Sequence, residues 1–167
     1  MEACMKTALI LRHAKSSWDN MHQQDHERPL NKRGKRTAPR MGQLILEQQL
    51  TPDTIISSTA QRARETVEAV ASSCQFPGEI IFDDNLYLAP PIVYLDILKT
   101  LPDQCQRILF VGHNPGMEEL VTQVTGQPVT MPTAALAHLQ WQIDSWEQLP
   151  ETDSGTLCDF WVPRELD

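Results

Sequence analysis

Two histidines and two arginines in this 167-residue chain stand where phosphoryl chemistry needs them. His13 follows Arg12 at the end of a short apolar run. His113 follows Gly112 at the end of another, and Arg62 lies just beyond Ser57 and Ser58, where a third run gives way to a helical pattern. A neutral imidazole is a good nucleophile toward phosphorus, and a covalent intermediate splits one hard displacement into two easier ones. The group in transfer spreads negative charge over three oxygens, so catalysis is chiefly positioning and charge neutralisation. Arginine offers planar, permanently charged, bidentate donors for that purpose, and one well-placed arginine can be worth ~10³ to 10⁵ in rate. Positive neighbours should depress the pKa of His13 and keep it neutral and nucleophilic. His113 can donate a hydrogen bond to phosphoryl oxygens, and a helix start at Asn114 and Pro115 would add its dipole.

These residues need a scaffold that brings strand ends together. Strand candidates are Thr7 to Leu11, Thr54 to Ser57, Glu79 to Phe82 and Arg107 to Val111, each short and nearly all apolar, as in strands covered on both faces. Ala60, Ala63, Val67, Val70, Ala71 and Cys74 recur at helical spacing, with Ser58 and Gln61 as a capping box. Ile92, Leu95, Leu98 and Leu101 form a second stripe. Met117, Leu120, Val121 and Val124 form a third, with Asn114 as cap, Pro115 at the first helical position and Gly126 as the stop. An earlier helix spans Lys32 to Leu50, with Met41, Leu44 and Ile45 inward and a kink or restart at Pro39.

From Ala137 to Ile143 the period becomes two, which predicts a half-exposed strand, with Thr156 to Val162 as partner. The expected architecture is an α/β three-layer sandwich: a mostly parallel sheet, helices on both faces and an antiparallel edge, in one domain over residues 1–167. In such sheets ligands bind beyond the carboxyl ends of the strands, where His13, Arg62 and His113 fall.

Composition sets the class. Hydrophobic residues at 41% and charged residues at 22% describe an ordinary globular protein. No apolar run approaches the ~20 residues of a membrane span, and Ala8 to Leu11 is strand-length rather than a signal-peptide core. A net charge of −8 disfavours a sequence-independent nucleic-acid binder. It leaves room for a local positive field, since cationic residues concentrate at Arg28 to Arg40 and Arg62 to Arg64. Cys4, Cys74, Cys105 and Cys158 are scattered, reading as small buried hydrophobes in a reducing, cytoplasmic compartment.

The run Leu11-Arg12-His13-Ala14 resembles the Arg-His-Gly signature of the histidine phosphatase superfamily. Ser57 to Thr66 resembles its second block, with Arg62 at the phosphate-binding arginine, and Val111 to Gly116 the block holding the second histidine. The match is closest to short SixA-type phosphohistidine phosphatases, through Arg28-Pro29-Leu30, Leu86-Tyr87-Leu88-Ala89 and Pro132-Thr133-Ala134-Ala135. The resemblance implies a phosphoglycerate mutase-like fold, His13 as nucleophile, and Arg12, Arg62 and His113 holding the phosphoryl group. Arg28 and Asn114 become substrate-binding candidates, and neither a metal nor a cofactor is implied.

Two departures refine this. Ala14 replaces the usual glycine and bears on pocket shape. The carboxylic acid that ester-cleaving branches use is missing: Asn114 follows the second histidine, and no glutamate stands between Asp84 and Pro90. An alkoxide leaves poorly without a proton, having a pKa near that of water, ~15.7, whereas imidazole nitrogen protonates near ~6.5. The expected substrate is therefore phosphohistidine in a signalling or phosphocarrier protein. Asp83, Asp84 or Glu118 could still supply an acid. Alternatives are a phosphatase for small phosphate esters and a non-catalytic phosphate-binding module. No nucleic acid or membrane partner is expected, and the chain is taken as a monomer. Arg64 and Lys32 to Arg36 read as solvated helix faces; His22, His26 and His138 as structural; Trp141, Trp146 and Trp161 as part of the terminal hairpin.

Overall fold

Alternation along each strand divides the apolar side chains between two cores. In β1 (Met5–Arg12), Ala8 and Ile10 face one cluster while Leu9 and Leu11 face the other. In β4 (Arg107–Gly112), Ile108 and Phe110 part from Leu109 and Val111 in the same way, as period-two geometry requires. The computed structural model describes residues 4–150 and 154–166. Within it β2 (Thr54–Ser57), β3 (Ile81–Phe82), β5 (Leu136–Gln142) and β6 (Thr156–Trp161) complete one sheet of order β3-β2-β4-β1-β5-β6. The first four strands in that order are parallel, and β5 and β6 add an antiparallel margin.

Helices cover both faces. α1 (Lys32–Glu47) and α2 (Gln61–Ser73) bury Met41, Ile45, Val67 and Val70 against one side. α3 (Pro91–Thr100) and α4 (Gly116–Thr125) bury Leu95, Leu98, Leu120 and Val121 against the other. The three-layer α/β sandwich expected from the sequence is the one observed. Among the described residues no helix is long and apolar enough to cross a membrane.

Several local expectations are corrected. α1 runs from Lys32 to Glu47 as one helix through Pro39, with no restart. β5, expected to be half-exposed, is buried on both faces, with Ala137, Leu139 and Trp141 in one core and Leu136 in the other. Its His138 is buried too: Nδ1 pairs with Asp159 at 3.0 Å and the ring stacks on Trp161. Strand β3 shrinks to two residues, and Ile92 on α3 is exposed. Cys74 and Cys105 are buried as expected, but Cys4 and Cys158 are exposed. Trp146 sits in a short turn after β5, donating its indole N–H to the Cys105 carbonyl at 2.7 Å.

The register matters most for the site. Arg12 is the partner of Gly112 across β1 and β4. His13 and His113 therefore leave adjacent parallel strands at the same level.

Candidate active site

The strand ends are tied together by their backbones. The His13 N–H donates to the Gly112 carbonyl at 3.0 Å, and the Ser58 N–H to the Val111 carbonyl at 3.0 Å. The Ala134 N–H donates to the carbonyls of Arg12 and His13, at 3.1 and 3.0 Å, from a left-handed turn with φ of 62°. Thr66 on α2 accepts the Ala14 N–H at 3.0 Å and donates to the Arg62 carbonyl at 2.7 Å, coupling the strand that leads to His13 to the helix that carries Arg62. Ala14 is fully buried, so its extra methyl lies in the core. Gly112 is required by close packing: a Cβ there would strike the Tyr94 hydroxyl.

The two imidazoles face each other with centroids 5.1 Å apart and an interplanar angle of 52°. His13 Nδ1 lies 2.8 Å from the Ala14 carbonyl, which can only accept, so Nδ1 carries the proton and Nε2 the lone pair. The Arg62 Nε–H points at that lone pair from 3.4 Å. Burial chiefly, then the charges of Arg62, Arg12 and Arg28, lower the pKa of His13 to about 3. The sequence predicts the depression from the arginines alone, but desolvation is the larger cause. His113 is likewise lowered to about 3, by burial first and then by His13 and Arg62. Its Nε2 is 2.8 Å from Ser58 Oγ.

Ser58 is thus a partner of the second histidine rather than the helix cap the sequence predicts. Its hydroxyl also accepts the Ala60 N–H at 3.2 Å, and α2 begins after Ala60 without a side-chain cap. The cap of α4 moves similarly: Pro115, not Asn114, precedes its first residue, while Gly126 ends it in a left-handed conformation, as expected. The Asn114 amide donates to Glu118 Oε1 and to the Met131 carbonyl, both at 2.9 Å.

The arginines line the same hollow. Arg12 anchors one nitrogen on the Met131 carbonyl at 2.9 Å. Arg28 is buried, donating to Ser16 Oγ at 2.7 Å and to the Ser17 carbonyl at 3.3 Å, with its guanidinium 3.5 Å from the Trp18 ring centroid. Arg62 gives Nη1 to the Asp25 carbonyl at 2.7 Å and Nη2 to Asp25 Oδ2 at 2.9 Å. Asp25 Oδ1 takes the Arg28 Nε–H at 3.1 Å, and Oδ2 also accepts from the Tyr87 hydroxyl. Although partial burial pushes its carboxyl upward, the hydrogen bonds from Tyr87, Arg62 and Arg28 hold it well below the ordinary carboxylate range.

Sequence reasoning missed Asp25, Tyr87 and Trp18. Asp25 left a trace three residues before Arg28, the spacing of a one-turn ion pair, and Tyr87 stood in a motif of the resemblance with no role given to it. His26, expected to be merely structural, packs edge-on against Tyr87 and meets Thr59 Oγ1 at 3.0 Å. Arg64 is half-buried over Phe82.

Together these side chains enclose a cleft of about 180 Å³ lined by Arg12, His13, Arg28, Arg62, His113 and Asn114, with Trp18 and Leu88 at its exposed rim. No carboxylate is among its lining residues. Glu118 spends Oε1 on Asn114 and on the Met131 N–H at 2.7 Å, Asp84 accepts from Thr59, and Asp83 caps its own turn. The cleft can seat a tetrahedral anion between two neutral imidazoles and three guanidinium groups.

Residues 8–87 match the histidine phosphatase superfamily, branch 1. An uncharacterized chloroplastic protein of Arabidopsis thaliana is 32% identical over 153 residues, 84% of this chain and 68% of that one. The crystal structure of SixA from Agrobacterium tumefaciens is 30% identical, with a TM-score of 0.81 over 95% of this chain and 98% of that one. The protein histidine phosphatase SixA in complex with tungstate shares the fold at a TM-score of 0.84 and 22% identity, over 96% and 99% of the two chains. With this frame and this sequence similarity, the chain belongs to the histidine phosphatase superfamily and stands beside its SixA-type members.

Proposed function

We propose that this protein is a phosphohistidine phosphatase that acts on a histidine-phosphorylated protein through a covalent intermediate on His13. The Nε2 lone pair forms a P–N bond as the bond from phosphorus to the substrate imidazole breaks, and the leaving nitrogen takes its proton from solvent. Water then attacks the phosphoryl-His13, breaking its P–N bond and releasing inorganic phosphate. Arg12, Arg28 and Arg62 neutralise the three oxygens through both steps, and His113 donates to one of them. Asn114 takes a supporting part, holding the Glu118 carboxylate beside the cleft. Three guanidinium groups supply the charge a cation would otherwise bring, so turnover is expected to survive chelators.

The observation that carries this reading is the cleft's lining. No carboxylate lines the cleft, and Asp25 beside it is held ionised and so offers no proton to an alkoxide. An imidazole leaving group, whose nitrogen protonates near ~6.5, can take its proton from solvent instead. The volume of about 180 Å³ admits a phosphoryl group and a ring, leaving the rest of the substrate against Trp18 and Leu88. The names of the SixA proteins it resembles point the same way. Four unpaired cysteines suit a reducing compartment, and the cytoplasm is the location proposed.

The test is parallel incubation with a histidine-phosphorylated carrier, a panel of sugar phosphates and an aryl phosphate, following phosphate release. Release from the carrier supports the reading. Release from the esters alone replaces it with an ester phosphatase, and phosphate binding without turnover replaces it with a binding module.

A further inference from the structure

A second hollow, larger than the catalytic cleft, lies elsewhere on the molecule. A groove of about 580 Å³ runs between α1 and the C-terminal turn, lined by Arg33, Arg36, Arg40, Gln43, Pro163 and Arg164. Its origin is legible in the helix. Arg33, Arg36 and Arg40 follow at steps of three and four and share one face, while Gly34, Ala38, Met41 and Ile45 hold the opposite face in the core. No acidic residue occurs between Glu27 and Glu47, although the chain as a whole carries −8. Arg40 reaches Glu47 at 3.5 Å, but Arg33, Arg36 and Arg164 have no ion pair among the described residues.

We infer that this groove docks the acidic surface of the protein whose phosphohistidine enters the cleft, an inference that rests on the function proposed above. Three observations favour an extended acidic surface over a small anion. The arginines are exposed or half-exposed rather than buried, so they enclose nothing. They are spread from Arg33 to Arg40 over about 10 Å of helix, the scale of a protein contact. They also form a cationic patch on an acidic molecule, which repels an acidic partner elsewhere and so sets its orientation.

Position links the groove to catalysis. The Asn31 N–H donates to the Lys15 carbonyl at 2.9 Å, Gly34 packs directly on that carbonyl, and Lys15 lines the cleft. A partner lying along α1 is therefore led to the mouth of the site. The sequence reads Lys32 to Arg36 as a solvated helix start. The groove closed by Arg164 gives that stretch a use.

A fluorescent octaglutamate peptide, followed by anisotropy, tests the groove without reference to turnover. The wild-type protein should bind it at low ionic strength and release it steeply as salt shortens the Debye length below ~10 Å. The triple variant Arg33→Glu, Arg36→Glu, Arg164→Glu should bind about tenfold more weakly. Absence of binding, or equal binding by the variant, overturns the proposal. In a second arm the variant should lose about tenfold in kcat/KM toward an acidic phosphohistidine carrier while hydrolysing free phosphoramidate like the wild type. An unchanged ratio between the two substrates also overturns it. If the peptide binds as described yet the wild type leaves every phosphohistidine intact, the groove stands and the substrate reading falls.

Discussion

Asp25 Oδ2 accepts the Nη2–H of Arg62 at 2.9 Å while its backbone carbonyl accepts Nη1–H at 2.7 Å, so one residue grips both outer nitrogens of the guanidinium. That grip leaves Arg62 Nε aimed at His13 Nε2. The Asp25 carboxylate also bridges to Arg28 and Tyr87, so its effect on the reaction passes through the groups it orients.

Asp25→Ala should lower kcat by roughly 10- to 100-fold, because small misplacements of a phosphate-holding group are costly. Asp25→Asn keeps an acceptor and should lose less. Steady-state rates on a phosphohistidine substrate decide this, and an undiminished Asp25→Ala variant would remove the residue from the positioning network.

Arg62→Ala should cost on the order of 10³-fold or more in kcat, by comparison with arginines that stabilise phosphoryl transfer. Arg62→Lys should recover little, since an ammonium cannot hold Asp25 and His13 with a planar fork. Equal activity of the lysine variant and the wild type would reduce the role of Arg62 to charge alone.

His13 should carry an acid-labile phosphoryl group during turnover. Rapid quenching with a radiolabelled substrate, followed by peptide mapping, should place the label on His13, and His13→Ala should show neither label nor steady release. Label on another residue would end the nucleophile assignment.

Low pH should destabilise the protein through the two buried imidazoles. In the unfolded chain each takes up a proton near ~6.5, but in the folded protein only near about 3. Between those values the unfolded state binds more protons, so stability is full above the unfolded pKa and falls as the pH drops toward 3. The loss should be on the order of a few kcal/mol. In phosphate-free buffer, ring resonances of His13 and His113 should stay neutral down to pH ~4.5. Titration near neutrality would contradict their seclusion.

Gly112→Ala should destabilise by about 1–3 kcal/mol through overpacking against the Tyr94 hydroxyl and Met117. Adding Tyr94→Phe should return part of that loss, and denaturant titration of the double-mutant cycle measures the coupling. Additive effects would show that the contact is not the cause.

The sheet and the paired histidines were legible because their signals are local. Three apolar runs, each ending in or leading to a reactive residue, sufficed to bring Arg12, His13, Arg62 and His113 to one edge. Ser58 misled because a serine ahead of a helix looks like a cap, while its hydroxyl is turned toward His113. The bonds from Asp25 to Arg62 and Tyr87 could not be read because those partners lie far along the chain: Arg62 is 37 residues beyond Asp25, and Tyr87 is 62 beyond it. The second buried face of β5 depends on cover from elsewhere, such as Trp161 stacked on His138, which no pattern within β5 itself records.

The pairing of Arg12 with Gly112 makes the two imidazoles neighbouring rungs of a ladder, although a hundred positions separate them in the chain. Their separation is fixed by the pitch of the sheet and owes nothing to loop length. A single-residue insertion within β1 or β4 would turn one ring to the opposite side of the sheet and abolish the pair outright. An insertion between Ser17 and Gln24, outside that ladder, would leave the two rings side by side.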